Sequence, residues 1–335
     1  MGLFGWGTAT ACLIAAALGA DAAAETAEVR IARQISVPDL PIAVVQHEKL
    51  IEKQALAMGL GTIAVRWVEP GKTGAIEAVI GGQADLAVAG LGPFIAAWDK
   101  RLGTPGAIGA LAAIAQIPYE LVSRNPAIKT IRDFTERDRI AVPELKLSGP
   151  ALMLEMASAQ EWGIEQFDRL DRLTVALADA QAYAALRKGK GEITAHFSRS
   201  PFADYELADP AVHRVMDSFD IGGPHSDDVL IARTQFHEAN PKLCAAIFAA
   251  VQEADALIKR NRGAAAEIYA AMAPDQDVSV EDLSDMFGDP DAAYTPAPAG
   301  AERLAVFMFQ VKYISHRPES WKELFFHDVH ALPGS

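Results

Sequence analysis

The chain has 335 residues, half of them apolar, and a formal charge of −14. That length supports two domains of ordinary size with a large core, and a charged fraction of 22% excludes general disorder. The acidic balance speaks against nucleic acid and anionic lipid as partners, because both are held by Lys and Arg.

At the N-terminus an apolar stretch over 9–18 is followed by Gly19, Ala20, Asp21 and three alanines at 22–24. This reads as a secretory signal with an A-x-A cleavage site before Glu25, and the run is too short to span a bilayer. Residues 1–8 contain no Lys or Arg, so the terminal amine alone supplies the leader's positive charge. A signal over 1–24 predicts export and a periplasmic location. Removing it takes away Cys12 and leaves Cys244 as the only thiol; neither cysteine has disulfide or metal-ligand spacing.

Beyond Glu25, short β-rich runs alternate with helical patterns, which predicts an α/β fold with a mostly parallel sheet. Strands are expected over 28–34, 62–68, 86–89 and 107–117. Between them come a turn at Pro38 and Pro41, a helix over 42–58, one over 75–80, and one opened by Pro93 that runs to about 100. An extended segment over 119–123 precedes the turn at Asn125 and Pro126. A second α/β unit follows, with strands over 139–142, 170–176 and 192–197 and helices over 149–162 and 180–188. Gly222, Gly223 and Pro224 then break the chain before a strand over 229–232. Helices over 241–260, 264–272, 280–287 and 301–315 complete it, with no internal repeat. Two α/β halves, two extended crossings and a helical tail predict a hinged, two-lobed molecule. Ligands of such sheets bind outside the carboxyl ends of the strands.

Several residues stand at those ends. Gly90, Leu91 and Gly92 follow an apolar strand; the glycines admit a ligand close to backbone N–H groups, and Pro93 at the first helical position leaves orphan donors facing the cleft. Ser148 and Gly149, before Pro150, read as the equivalent in the second half, with Ser148 either a helix cap or a donor to ligand. Phe197, Ser198, Arg199 and Ser200 end another strand. An inward Arg199 favours a carboxylate or sulfonate through bidentate hydrogen bonds; an outward one is a solvated rim charge. His225 follows the second break and reaches the crossing. The triplet 71–73 (GKT) has Arg66 where a P-loop needs glycine, so it reads as a tight turn that either receives an anion or simply caps the next helix. His327 and His330 have i,i+3 spacing, but no further ligand cluster supports a metal site.

The residues that carry a family resemblance are GEITAHFSRSPF at 191–202, YELADP at 205–210, VH at 212–213 and SFDIGGPH at 218–225. GQADLAVAGLGP at 82–93, FHEANPK at 236–242 and SWKELFF at 320–326 add to it. Together they resemble the periplasmic substrate-binding proteins of nitrate, sulfonate and taurine type ABC importers. The resemblance implies a two-lobed type II periplasmic binding fold, with 28–117 plus 226–335 as one lobe and 124–222 as the other. It also implies capture of a small organic anion or heteroaromatic ligand for an inner-membrane ABC permease, without catalysis or cofactor. Related proteins commonly carry small uncharged residues and Pro where this chain has Arg199 and Ser200. Pro38 and Asp39, in the turn after the first strand, complete the candidate ligand contacts, and the chain is expected to be a monomer. The same fold occurs in thiamine-pyrimidine synthases, which act beside a cysteine-rich loop that this chain lacks; no Gly-x-Ser-x-Gly elbow occurs either. A ligand sensor with a regulatory partner is the third reading.

Overall fold

A computed structural model describes residues 2, 25–70, 74–189, 193–273 and 278–335. The expected signal, apart from Gly2, and the 71–73 turn lie outside the described residues.

In chain order, β1 (Glu28–Ala32) leads to α1 (Leu40–His47), α2 (Leu50–Ala57), β2 (Ala64–Val68) and α3 (Ala75–Ile80). β3 (Leu86–Gly90), α4 (Leu91–Arg101) and β4 (Ile108–Ala113) follow. After the short β5 (Ala115–Gln116) the chain crosses to β6 (Glu120–Ser123). It continues through β7 (Ile140–Val142), α5 (Gly149–Trp162), β8 (Thr174–Ala176) and α6 (Asp179–Lys188). Then come β9 (Ala195–Ser198), α7 (Phe202–Leu207) and β10 (His213–Asp217). Crossing back, it forms β11 (Asp228–Arg233), α8 (Thr234–Ala239), α9 (Pro241–Arg260) and α10 (Arg262–Met272). It finishes with α11 (Val280–Met286), β12 (Ala293–Tyr294) and α12 (Ala301–Gln310).

The strands form two five-stranded sheets, β2-β1-β3-β11-β4 and β10-β6-β9-β7-β8, and β5 and β12 form a two-stranded ribbon. Each sheet is only partly parallel. β1 pairs in parallel with β2 and β3, as β7 does with β8 and β9. β11 and β6 run antiparallel to both of their neighbours. The reason is topological: each is the first strand after a crossing, so it enters its sheet from the carboxyl ends of the others. The registers record this, with Asp228 opposite Gly90 and Glu120 opposite Ser198. The carboxyl ends of both sheets therefore meet at the crossings.

Taken from β8 to β10, the second sheet has the order of the first. β7 matches β1, β9 matches β3, and the crossing strand lies fourth in each. The Ser148 turn after β7 thus corresponds to the Asp39 turn after β1, and not to Gly90–Gly92. Gly90–Pro93 corresponds to Ser198–Pro201. The first pair of turns each place Pro in the opening positions of the helix, at Pro41 and Pro150.

Local departures from the sequence reading have local causes. The helix expected over 42–58 is broken in two, because Lys49 adopts a left-handed φ of 54°. The strand over 107–117 divides at Ile114, and that over 170–176 is a 3-10 turn before β8. Pro93 is the third residue of α4, a position whose missing N–H would lack a helical partner anyway. The strand β10 and the helix α7 were not read from the sequence at all.

The first sheet packs its Val29, Ile31, Leu86 and Leu230 against α1 and α9. On α9 the residues Leu243, Ile247, Ala250, Val251 and Ala254 recur at helical spacing and are buried. Burying Ile247 alone stabilises by about 2 kcal/mol. The second core cluster runs from Phe94 and Leu152 to Phe197, Leu304 and Trp321, so it is continuous across the two sheets. Among the described residues, no helix is long and apolar enough to cross a membrane.

Candidate functional site

A cavity of about 600 Å³ opens at the carboxyl ends of the sheets. The first sheet's side supplies Ser36, Asp39, Ile76, Ile80, Val88, Gly90 and Asp228; the second supplies Glu144, Leu147 and Arg199.

Arg199 forms the floor. It follows β9, and its side chain is a quarter exposed. Its guanidinium points inward, where Nη1 donates to Asp227 Oδ2 and to Asp228 Oδ2, the latter at 3.1 Å. Burial opposes its charge, but Asp227 and Asp228 more than compensate and hold the proton on. Arg199 thus faces the cavity and, through Nη1, is also a counter-ion to the protein's own carboxylates. Behind it, the Tyr119 hydroxyl donates to Asp227 Oδ1, and burial raises the phenol's pKa. Tyr119 lies on the first crossing and Asp227 on the second, so this contact ties the two crossings together. The backbone does the same, with Tyr119 N donating to Ser218 Oγ at 2.8 Å and Ser218 N to Tyr119 O at 2.9 Å.

Asp39 sits beside this cluster at the start of α1. It is 5% exposed, and its Oδ2 accepts a 2.6 Å bond from Ser36 Oγ. Its Oδ1 is buried and has no partner. Burial, with Asp227 nearby, pushes its pKa up to about 6, although Ser36, Arg199 and Arg33 oppose the shift. Burial and Asp227 likewise push Asp228 well above the usual carboxylate range.

The remaining candidates are placed differently. Of the twelve, Asp39, Gly90 and Arg199 line the cavity. Leu91 is 2% exposed and Pro38 is buried beside Asp39. Leu91 N donates to Asp227 O at 2.9 Å, so the first N–H of α4 is occupied. Gly92 abuts the second half: a Cβ there would overlap the Leu147 carbonyl oxygen and Leu152. Gly149 is equally tight, since a Cβ would overlap the Tyr119 hydroxyl. Gly92 is thus needed for close approach between the halves, and Gly149 for the packing of the first crossing on the start of α5. Ser148 does not cap α5; its Oγ donates to Glu144 O at 2.5 Å.

Phe197 is buried edge-on against Tyr119, with ring centroids 6.2 Å apart. Ser198 donates to Glu206 Oε2 at 3.0 Å within the second half. Ser200 lies on the far side, near Asp204 and Arg214. His225 is packed between Tyr119 and Phe219, with Nε2 2.9 Å from Ser218 Oγ, and burial pushes it down to about 4. It is a neutral strut of the second crossing.

Away from the cleft, His330 Nε2 lies 2.9 Å from Phe325 O. His237 Nε2 lies 2.6 Å from Asp328 Oδ2, with His327 beside them; this trio is the metal-compatible grouping among the described residues.

Asp227, Asp228 and Tyr119 were missed from the sequence. Two adjacent aspartates directly before an apolar strand were the available signal, because a strand head buried at a crossing takes its charges inside with it.

No family model matches the chain, and no curated protein does either. The alkanesulfonate-binding protein of Xanthomonas axonopodis pv. citri, solved with MOPS bound, superposes with a TM-score of 0.67 at 19% identity. The match covers 88% of this chain and 96% of that one. The chain has the periplasmic binding protein fold. The Escherichia coli periplasmic aliphatic sulphonate-binding protein gives 0.65 at 18% identity over 90% of this chain and 93% of that one. The periplasmic nitrate-binding protein of Synechocystis gives 0.61 at 14% identity, over 88% and 83%. In this chain, a cavity lies where Asp39, Gly90, Arg199 and Asp228 meet.

Proposed function

We propose that the chain is the solute-binding component of an ABC importer, exported to the periplasm after loss of residues 1–24. The sheets with their covering helices form two lobes, 28–117 plus 226–335 and 124–222. The lobes close on a small molecule and present it to a membrane permease, with no chemistry performed on it. The observation that carries this reading is the cavity of about 600 Å³, lined from both sheets at their carboxyl ends. A ligand touching both lobes shifts the open and closed populations, since only differential affinity moves such an equilibrium. The two crossings, tied by Tyr119, Ser218 and Asp227, are the hinge.

The test is a thermal-shift screen of small organic ions and heterocycles, followed by small-angle scattering. A ligand present at 100 times its dissociation constant adds about 2.7 kcal/mol of stability. The expected result is saturable binding, a smaller radius of gyration and no turnover of the bound compound. Turnover would replace the reading with an enzymatic one. N-terminal sequencing of exported protein is expected to begin at Glu25.

A further inference from the structure

We propose that the chain carries a second binding site, outside the cavity at the crossings, in which His237, His327 and Asp328 hold a divalent transition-metal ion of the Zn²⁺ class.

Two elements bring the donors together. His237 lies on α8, directly after β11, and its side chain is 8% exposed. His327 and Asp328 open the 3-10 turn His327–Val329 near the end of the chain. The segment before that turn extends the first sheet at its edge strand β4. There Ala110 N donates to Leu324 O at 3.0 Å, and Phe326 N donates to Ala110 O at 2.8 Å. The His237 ring stacks on Phe326, with centroids 4.0 Å apart and planes within 8°, so packing fixes its orientation.

The distances are close to those an ion needs. His237 Nε2 lies 2.6 Å from Asp328 Oδ2, and His327 Nδ1 lies 3.9 Å from the same oxygen. One donor atom from each of the three residues stands within 4.8 Å of the other two. Ligands about 2.1 Å from a tetrahedral ion are about 3.4 Å apart, so one gap opens and the other closes by less than about 1 Å. Small side-chain rotations of Asp328 and His327 supply that change. The ion then takes the place of the hydrogen that His237 shares with Asp328.

A His–Asp pair alone is an ordinary buried hydrogen bond. What sets this one apart is a second imidazole beside the same carboxylate oxygen, edge-on to the first ring at a centroid distance of 5.2 Å. The His327 side chain is 75% exposed, so an ion enters from solvent and keeps water on its outer positions. Two imidazole nitrogens and one carboxylate oxygen suit Zn²⁺, Co²⁺, Ni²⁺ and Cu²⁺, whereas Mg²⁺ and Ca²⁺ take oxygen ligands. His330 is not a ligand, because its Nε2 already lies 3.0 Å from Lys322 O and 2.9 Å from Phe325 O. The bound ion clasps the sheet-edge segment 324–326, through its following turn, to α8.

The experiment is titration calorimetry of the full chain, carrying no polyhistidine tag and stripped with chelator, with Zn²⁺, Mg²⁺ and Ca²⁺ each added alone. One Zn²⁺ per chain is expected to bind with a Kd of roughly 10 µM or tighter, and Mg²⁺ and Ca²⁺ not at all. Co²⁺ in the same site should show the visible absorption of a nitrogen-ligated, low-coordinate ion. His327→Ala removes an exposed side chain and spares the fold, yet it should weaken Zn²⁺ at least about tenfold. Asp328→Asn should do the same, with circular dichroism showing both variants folded. His47→Ala and His316→Ala remove exposed histidines that each stand beside a single glutamate, and they should leave the affinity unchanged. Zn²⁺ should also slow amide exchange at Ala110 and Phe326. An absence of Zn²⁺ binding up to about 1 mM overturns the site, as does full-strength binding by His327→Ala or an equal loss in the His47 or His316 variant. Unchanged exchange at Ala110 and Phe326 overturns the clasp.

Discussion

Arg199→Met is the most informative single substitution. It keeps the aliphatic stem but removes the cation that bonds Asp227 and Asp228 and acts on Asp39. Removing one partner of a buried ion pair costs about 3–5 kcal/mol, and a side chain that is a quarter exposed belongs at the lower end, about 3 kcal/mol. For a chain of this size, that lowers Tm by roughly 4 °C. The assay is urea denaturation at pH 7.5 and pH 5.0. Asp39 titrates near 6 and is mostly protonated at pH 5.0, so fewer unpaired charges remain and the penalty should fall to about 1 kcal/mol. Adding Asp228→Asn should restore about 1.5 kcal/mol at pH 7.5, because the cost lies in the stranded carboxylates. A variant within 0.5 kcal/mol of wild type at pH 7.5, or a penalty that grows on acidification, would refute the counter-ion assignment.

Three further outcomes follow from the packing and the titrations. Gly92→Ala should push α4 away from Leu147 and Leu152, cost about 1–3 kcal/mol, and raise the radius of gyration in scattering; an unchanged radius counts against the close contact. His196 is raised from 6.5 to about 9 because Asp179 and Glu206 outweigh its burial. A raised base stabilises the fold fully below its unfolded pKa, so urea midpoints should fall between pH 6.5 and 9, and His196→Gln should flatten that slope. Cys244 is fully buried with its thiol pKa pushed up, so a thiol reagent at pH 8 should leave Cys244 unlabelled in the native protein and label it in urea.

Much of the fold was legible because its signals are local. The apolar runs at β3 and β4 and the helical periodicity of α9 need no partner to be recognised. Elements that owe their form to neighbours were read less well. β10 (HRVMD) is half-exposed and takes its extended form from pairing with β6. The parallel character was overestimated, since the direction of β6 and β11 depends on where the crossings enter the sheets. The equivalence of the two sheets left no repeat in the sequence, because topology constrains strand order and not residue identity.

The candidate site divides in the same way. Position at the carboxyl end of a strand could be read from chain order, and Asp39, Gly90 and Arg199 line one cavity. Which way the neighbours turned could not. Ser198 faces Glu206, Ser148 faces Glu144 O, and His225 lies between two aromatic rings. By itself, the sequence determined the class of fold and the places where the chain crosses. Only the tertiary structure decided which charged groups meet in the cavity. A net charge of −14 is a sum over the whole chain, whereas the cleft depends on three carboxylates and one guanidinium drawn from positions 39 to 228. Those groups meet because two sheets point their strand ends at each other, and burial makes their charges count.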